Sequence, residues 1–325
     1  MSDAAGRSSN PYWDLVRPYT LLPPLFGMLS GAVCAIGAVA TRTGASIGGA
    51  DGVDRRVIAI GLGAVMAATL NAGSNAINQL TDQENDRRNK PARPLPSGRL
   101  TPGAVLITGV FFYVAALLAA WAVGVPVGGT IHECFWIALA GAAGSLIYSV
   151  PPVRTKRWAW AAQLTIAVPR GMLLRVCGWS CVALTFNDPE PWYAGAVFFL
   201  FLLGAAATKD FADIEGDRAA GCNTWPVVHG PAGAARRVAP FLLFPWLLLP
   251  LGVVLPHPSG GPLLAGNPLA LTILGIALSV YGAYIARLML VRPDELARSE
   301  NHPSWVHMYA LMMVAQIGLM VAYLI

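Results

Sequence analysis

The sequence predicts an all-α membrane protein: a polytopic bundle of nine transmembrane helices around a central cavity with a cytoplasmic cap, in one domain spanning residues 1–325. Charged residues make up only 12% of the chain and hydrophobic residues 55%, whereas soluble domains carry about 25% charged residues. Nine apolar segments approach the roughly 20 residues that a helix needs to cross a bilayer. In lipid, only helices and closed barrels satisfy the backbone.

The nine predicted spans leave short connecting segments that hold most of the charge. The spans are 20–40, 57–80, 103–124, 132–150, 158–183, 192–209, 238–256, 268–290 and 305–325. The net charge of +5 comes from basic clusters between apolar runs, which fits contact with lipid headgroups and argues against a nucleic-acid partner. We expect no cleavable leader, because Asp3, Pro11 and Asp14 precede the first apolar run.

The basic residues also predict the orientation of the chain. With a cytoplasmic N-terminus, 17 of the 22 lysines and arginines fall in cytoplasmic segments, and only Arg42, Arg55 and Arg56 fall outside. Arg170 and Arg175 lie within the fifth span. We therefore expect a multi-pass protein of the cell (inner) membrane, with a cytoplasmic segment 1–19, cap loops 81–102 and 209–237, and a site that opens to the cytoplasm.

Two acidic clusters follow the second and sixth predicted spans, at cytoplasmic helix ends. Their members are Asp82, Glu84 and Asp86, then Asp210, Asp213, Glu215 and Asp217. Steps of three and four residues place Asn71, Asn75, Asn78, Asp82 and Asp86 on one helical face, and Asp210, Asp213 and Asp217 on another. Oxygen ligands of this kind suit Mg²⁺, which is usually shared with substrate phosphates. Solvated helix caps are the plainer alternative.

Basic side chains near both clusters suit a phosphate group, although the positive-inside rule alone would also place them there. The cysteines and histidines lack the spacing of a zinc or redox site. We assign them no function.

The two acidic motifs, together with their flanking sequences, resemble a known family. Residues 78–86 have the form NQxxDxxxD and residues 209–217 the form KDxxDxxGD. Similar context is provided by RPYT at 17–20, NKPARPLPSGRL at 89–100, YSVPPVRTKR at 148–157 and GCNTWPVVHG at 221–230. These features resemble the UbiA superfamily of intramembrane prenyltransferases, most closely its homogentisate prenyltransferase-like branch, because Gln79 stands where other branches more often carry an acid.

The resemblance implies a Mg²⁺-dependent transferase that moves a prenyl group from a prenyl diphosphate to a hydrophobic aromatic acceptor, either a phenol or a quinone precursor. The catalytic carboxylates would be Asp82, Asp86, Asp213 and Asp217, and these four with Asn78 would hold the metal. The implied diphosphate-binding residues are Arg17, Arg93, Tyr148, Arg154, Lys156, Lys209 and Asp210. The implied acceptor-binding residues are Arg170 and Asn75.

Several alternatives remain open at this point. The superfamily includes terpene cyclases that use the same metal site without an acceptor, and chlorophyll synthase-like members share the PxRPxPSGR stretch. A cation transporter is a more remote alternative, because transport sites lie near the bilayer midplane. Arg170 could face the cavity and contact an acidic or phenolic acceptor; the alternative for an arginine within a span is snorkelling, or pairing with Glu133 or a helix-end carbonyl. The aromatic candidates for stabilising an allylic cation are Tyr148, Trp158, Trp160 and Phe211, with plain packing or an interface belt as the alternative for each.

Overall fold

The structure, a computed structural model, describes residues 10–44, 50–127, 132–298 and 302–325. These residues are 81% helical and contain no strand. The first nine residues of the predicted N-terminal segment, with Arg7, lie outside the described residues. The α-helices are α1 Pro11–Val16, α2 Leu22–Thr43, α3 Ala50–Thr81, α4 Gln83–Asn89, α5 Pro102–Val127, α6 Glu133–Ser149, α7 Ala159–Ala167, α8 Leu174–Ser180, α9 Pro189–Ala205, α10 Ile214–Ala219, α11 Trp225–Leu243, α12 Leu248–Val254, α13 Pro268–Val291 and α14 Pro303–Leu324.

Seven helical stretches within the described residues are long and apolar enough to cross a membrane. They are Pro11–Thr43, Arg55–Thr81, Pro102–Gly124, Pro189–Phe211, Trp225–Val254, Pro268–Val291 and Pro303–Leu324. A polytopic helical bundle is thereby confirmed. The other two predicted spans have a different form: Glu133–Ser149 is a shorter apolar helix of 17 residues, and residues 159–180 form α7 and α8 joined by a π-helix, Val168–Leu173.

Local sequence explains the interrupted span. Pro169 has no backbone N–H and cannot continue the regular hydrogen-bond ladder, so the helix widens there into a π segment. Arg170, the next residue, also lowers the apolar character of this stretch. The predicted cap loops are partly helical: residues 81–102 include α4, and residues 209–237 include α10 and most of α11.

Polar contacts define two opposite ends of the bundle. At one end, Arg42 at the close of α2 pairs with the buried Glu190 at the start of α9, 2.6 Å away. Glu190 also accepts a hydrogen bond of 2.7 Å from Tyr323, near the end of α14. The two acidic motifs lie at the other end. Alternating helix direction, as predicted for consecutive spans, therefore places both motifs together.

Candidate active site

All of the predicted site residues line one cavity of about 1720 Å³. Its polar part is formed by the end of α3, α4 and the segment after it, residues 154–156 before α7, and residues 209–217 around α10. Its apolar wall comes chiefly from α9 and α14, with α7 and α8 contributing on either side of the π segment. The apolar lining includes Ile166, Leu174, Phe198, Phe201, Leu202, Met308, Met312 and Met313. A charged region and an apolar region therefore share one space.

The carboxylate of Asp82 is the most heavily bonded acid in the polar part. Asp82 follows α3 and precedes α4, one helical turn after Asn78, whose Nδ2 donates to its Oδ2 over 3.0 Å. Arg154 Nη2 lies 3.2 Å from Asp82 Oδ1, and Lys156 pairs with the same oxygen. Burial lowers the pKa of Lys156 to about 8. Two cations from one loop thus neutralise a single buried carboxylate.

Asp86 lies one turn further along α4 and is paired in the same way. Arg93 Nη1 lies 2.5 Å from both carboxylate oxygens of Asp86. The Asp86 side chain is only 5% exposed, so its charge is held by Arg93 rather than by bulk solvent. The loop after α4 therefore folds back over the motif that precedes it.

The second motif lies directly opposite the first. Lys90, which follows α4, approaches Asp213 with 3.3 Å between Nζ and Oδ2, so an ion pair bridges the two motifs. Asp217 accepts a hydrogen bond of 3.2 Å from Thr224. Burial, followed by repulsion from the Asp213 carboxylate, raises the pKa of Asp217 to about 6. A cation near this pair would relieve that repulsion.

Lys209 and Asp210 begin the second motif. The ammonium group of Lys209 lies 3.3 Å from the hydroxyl of Tyr148 and 5.5 Å from the centre of its ring. Asp210 is buried, and Gln163 Nε2 lies 3.5 Å from its Oδ2. Gln163 was not among the predicted site residues. Its signal in the sequence is only that of a polar residue within an apolar segment.

A row of amides on α3 holds the N-terminal segment against the cavity. Asn71, Asn75 and Gln79 recur every four residues and donate to the carbonyls of Thr20, Val16 and Leu15, over 3.1, 2.9 and 3.1 Å. The predicted helical face is thus divided: Asn71 and Asn75 hold the N-terminal segment, whereas Asn78 bonds to Asp82. Gln79 was missed as a member of the row, although its spacing from Asn75 could have revealed it.

The N-terminal segment carries Arg17 into the cavity lining. Arg17 has a positive φ of 50°, a conformation uncommon for a residue other than glycine. Its buried Nη2 atom has no hydrogen-bond partner among the described residues. A buried guanidinium with a spare donor is suited to an anionic ligand.

The two arginines of the fifth predicted span occupy different environments. Arg170 lines the cavity and donates to Asn71 Oδ1 over 3.2 Å. Arg175 is buried beside the cavity, donates to Ser30 over 3.0 Å, and lies 3.9 Å above the ring of Phe198. The alternative of pairing with Glu133 is wrong, because that carboxylate accepts bonds from Thr185 and the Phe186 N–H.

Most of the aromatic residues expected near an allylic cation lie elsewhere. Trp158 and Trp160 are exposed, and Phe211 packs in the main core. Of the four expected residues, Tyr148 does line the cavity. The other aromatic residues in its lining are Tyr19, Phe198, Phe201, Trp13, Trp305 and Tyr309. Tyr19 lies in the RPYT stretch, and Phe198 and Phe201 lie on the helix before the second motif, but these patterns do not show which side chains face the cavity.

The donor chemistry of the polar part fits Mg²⁺. Asn78, Asp82, Asp86, Asp213 and Asp217 present oxygen atoms to one cavity. Among the described residues, no three acidic, histidine or cysteine side chains are gathered closely enough to enclose a metal ion. Mg²⁺ needs no such cage, because it is commonly held by one or two carboxylates together with water and substrate phosphates.

Comparison with known proteins agrees with this geometry. Residues 32–299 match the UbiA prenyltransferase family. The bacteriochlorophyll synthase 33 kDa chain of Rhodobacter capsulatus is 32% identical over 69% of this chain and 68% of its own length. Homogentisate solanesyltransferase of Arabidopsis thaliana is 31% identical over 66% of this chain and 53% of that protein. Digeranylgeranylglyceryl phosphate synthase of Methanopyrus kandleri is 31% identical over 78% of this chain and 87% of that protein.

Solved structures share the fold. A UbiA homolog from Archaeoglobus fulgidus bound to DMAPP and Mg²⁺ superposes with a TM-score of 0.68 and 19% identity, over 96% of this chain and 99% of that one. At this level of identity, the likeness concerns the fold alone. The family match covers most of the chain and includes both acidic motifs. The chain therefore belongs to the UbiA prenyltransferase family, and the enzyme class predicted from its sequence, a prenyltransferase, is confirmed.

Proposed function

We propose that this enzyme is a Mg²⁺-dependent intramembrane transferase that moves a prenyl group from a prenyl diphosphate to an aromatic acceptor, a phenol or quinone precursor. The observation that carries the proposal is the single cavity in which paired carboxylates and basic residues adjoin an apolar, aromatic-lined wall. Support comes from the UbiA homologs solved with DMAPP or GPP and Mg²⁺, and from the relative named homogentisate solanesyltransferase.

The polar part of the cavity would bind the diphosphate. Arg17, Arg93, Arg154, Lys156 and Lys209 supply positive charge there, and Tyr148 supplies a hydroxyl donor. Asn78, Asp82, Asp86, Asp213 and Asp217 would hold Mg²⁺, which when bound stabilises the charge on the departing diphosphate. Asp210 would lie behind these metal-binding and diphosphate-binding side chains. Gln163 holds it there, and it adjoins Lys209 in the chain.

The ion pairs in the polar part suggest that metal and diphosphate bind together. Arg154 and Lys156 pair with Asp82, and Arg93 pairs with Asp86. A diphosphate attracts the same cations, and as they turn toward its oxygens the carboxylates lose their counter-charges. The freed carboxylates would then favour a divalent cation. Each ligand thereby raises the affinity of the site for the other.

Prenyl transfer would follow where the polar and apolar parts meet. Breaking the bond between the allylic carbon and the diphosphate oxygen leaves a cation on the prenyl group, which the apolar wall shields from water. The ring faces of Tyr148, Phe198 and Phe201 can stabilise positive charge. A ring carbon of the acceptor bonds to the cation, and loss of that carbon's proton restores aromaticity. Arg170, with Asn75 nearby on α3, would orient the acceptor.

We further propose that all nine predicted spans cross the membrane. Glu133–Ser149 and the interrupted stretch of residues 159–180 complete the seven longer helices. Segments 81–102 and 209–237 would form the cap, on the cytoplasmic side of the cell (inner) membrane, with the N-terminus on that side. The cavity would open to the cytoplasm for the diphosphate and adjoin lipid for the apolar acceptor.

One assay separates this function from its alternatives. Purified enzyme with Mg²⁺ is given geranyl, farnesyl or geranylgeranyl diphosphate, with or without homogentisate as a phenolic acceptor. Diphosphate release that depends on the phenol, with formation of a prenylated ring, supports the proposal. Release of a terpene hydrocarbon without acceptor identifies a cyclase. Turnover only with a non-aromatic or chlorophyll-like lipid acceptor identifies a different transferase; the relatives include a bacteriochlorophyll synthase and a digeranylgeranylglyceryl phosphate synthase.

A further inference from the structure

A second hollow lies on the outside of the bundle, away from the active-site cavity. It is a groove of about 480 Å³ between α11 and α13, and it shares no lining residue with the cavity. Its size falls within the range of pockets that bind small molecules. The lining is Arg236, Ala239, Pro240, Leu243, Phe244, Ala283, Ala286, Arg287 and Leu290. Two arginines therefore accompany seven apolar residues.

The groove has a clear origin in helix packing. At Gly282 the two helices touch so closely that a Cβ atom would lie 2.0 Å from the Leu242 carbonyl oxygen. Ser279 adds a hydrogen bond of 3.1 Å to the Leu243 carbonyl. Beside this tight contact, the short side chains of Ala239, Ala283 and Ala286 fail to fill the space between the helices. The groove is thus a fixed feature of the α11–α13 pair.

The surface around the groove is apolar. Phe244 is 58% exposed, and Val280, Tyr284 and Leu290 are also exposed. In a membrane bundle such a surface contacts lipid chains. Arg287 lies four residues before the end of α13, or about 6 Å along its axis, so the arginine end of the groove lies near the membrane boundary.

The charge in the groove has one sign. Arg236 and Arg287 are both exposed, and the structure gives neither of them an ion pair among the described residues. Nearby arginines are engaged elsewhere: Arg237 donates to the Gly233 carbonyl over 3.1 Å, and Arg292 pairs with Glu295 over 3.1 Å. No acidic side chain is part of the groove lining. The groove is therefore suited to a ligand with an anionic head and an apolar tail.

We propose that this groove binds an anionic phospholipid. Its phosphate would lie between the guanidinium groups of Arg236 and Arg287, and one acyl chain would run over the alanines toward Phe244. Guanidinium groups bind phosphate oxygens through paired hydrogen bonds, and basic pockets between membrane helices are recognised sites for anionic headgroups. The bound lipid would contact α11 and α13 together, beside their tight contact at Gly282.

The test compares two charge-matched double variants of the full-length enzyme in detergent. R236Q/R287Q removes both groove arginines, and R237Q/R292Q removes two neighbours that do not line it. Native mass spectrometry titrates each protein with phosphatidylglycerol and with phosphatidylcholine. We expect one phosphatidylglycerol to bind wild type and R237Q/R292Q at least tenfold more tightly than R236Q/R287Q, with little binding of phosphatidylcholine. Equal losses in the two variants, or no loss in either, would overturn the proposal.

A third variant tests the acyl-chain part of the groove without a change of charge. Ala283→Phe places a large side chain in the lining while both arginines remain. We expect the same tenfold loss of phosphatidylglycerol binding. Undiminished binding would show that the lipid lies outside the groove and would refute its proposed position. Thermal melting of each variant in detergent shows that a loss of binding does not come from unfolding.

Discussion

At the scale of single residues, the polar part of the cavity is a set of matched charges. Asp82 is paired with Arg154 and Lys156, Asp86 with Arg93, and Asp213 with Lys90 from the opposite motif. Pairs of this kind give each of these carboxylates a nearby positive counter-charge. The same carboxylates are then ready to accept a metal once the diphosphate attracts their partners.

Arg170 offers the sharpest test of acceptor binding. Asn71 orients its guanidinium group inside the cavity. If the remaining donors contact a phenolic or carboxylate oxygen, Arg170→Leu removes a charged hydrogen bond of about 1.5–3 kcal/mol. We expect the acceptor KM to rise on the order of tenfold or more, with the diphosphate KM within about twofold of wild type. Steady-state kinetics with each substrate varied will measure both. An unchanged acceptor KM would remove Arg170 from the acceptor site.

Some of these residues could be identified from the sequence and others could not. Asn78, Asp82 and Asp86 were predictable because helical spacing places residues four apart on one face. The positions of Phe198 and Arg175 were not, because they depend on how α9, α8 and α2 pack together. The exposed positions of Trp158 and Trp160 fit the alternative of an interface belt, which the sequence alone could not separate from cavity lining.

At the scale of helices, close backbone contacts position the cavity wall. α2 and α8 touch through two glycines: a Cβ on Gly31 would lie 2.1 Å from the Arg175 carbonyl oxygen, and one on Gly178 would lie 2.0 Å from that of Met28. Small residues allow membrane helices to approach in this way. This contact fixes the segment that carries Arg175 and, one turn earlier, the π segment with Arg170.

Gly31→Ala tests the importance of that contact. The new methyl group meets backbone rather than a movable side chain, so we expect the free energy of unfolding to fall by about 1–3 kcal/mol. Gly61→Ala is the control, since a Cβ there has nothing within 4 Å and the change from glycine to alanine favours helix by up to about 1 kcal/mol. Thermal melting in detergent compares them. Equal stability of the two variants would contradict the packing argument.

The amide row on α3 makes a second prediction at this scale. Gln79 donates to the Leu15 carbonyl and is fully buried. Gln79→Ala removes a hydrogen bond with a net contribution of about 1 kcal/mol, and we expect several-fold faster hydrogen–deuterium exchange in residues 11–20. Gln83→Ala is the matched control, because Gln83 donates only within its own turn, to Leu80. Identical exchange in both variants would show that Gln79 does not hold the N-terminal segment.

At the scale of the whole molecule, the bundle has two chemically different ends. One end holds both acidic motifs, and the other holds Glu190 with Arg42 and Tyr323. The number of membrane-spanning helices was harder to predict than the chemical difference between the two ends. A hydropathy pattern cannot show that residues 159–180 contain a π segment, because that geometry depends on how Pro169 and its neighbours pack.

Labelling with a thiol reagent tests the proposed orientation. All five native cysteines are buried, so single cysteines introduced at exposed positions dominate the reaction. In intact cells, a membrane-impermeant maleimide should label Ser259→Cys, in the loop between α12 and α13, and should label Glu215→Cys only after the membrane is permeabilised. The reverse pattern would place the acidic motifs outside the cell and would contradict the orientation.

The most direct measurement for the account as a whole is Mg²⁺-dependent diphosphate release by four single variants. Asp82→Asn and Asp213→Asn alter one carboxylate of each motif inside the cavity, whereas Glu84→Gln and Glu215→Gln alter exposed acids two residues away that do not line it. We expect losses in kcat on the order of 100-fold for both aspartate variants, and rates within about twofold of wild type for both glutamate variants. Near-wild-type turnover by Asp82→Asn and Asp213→Asn would contradict the proposed site.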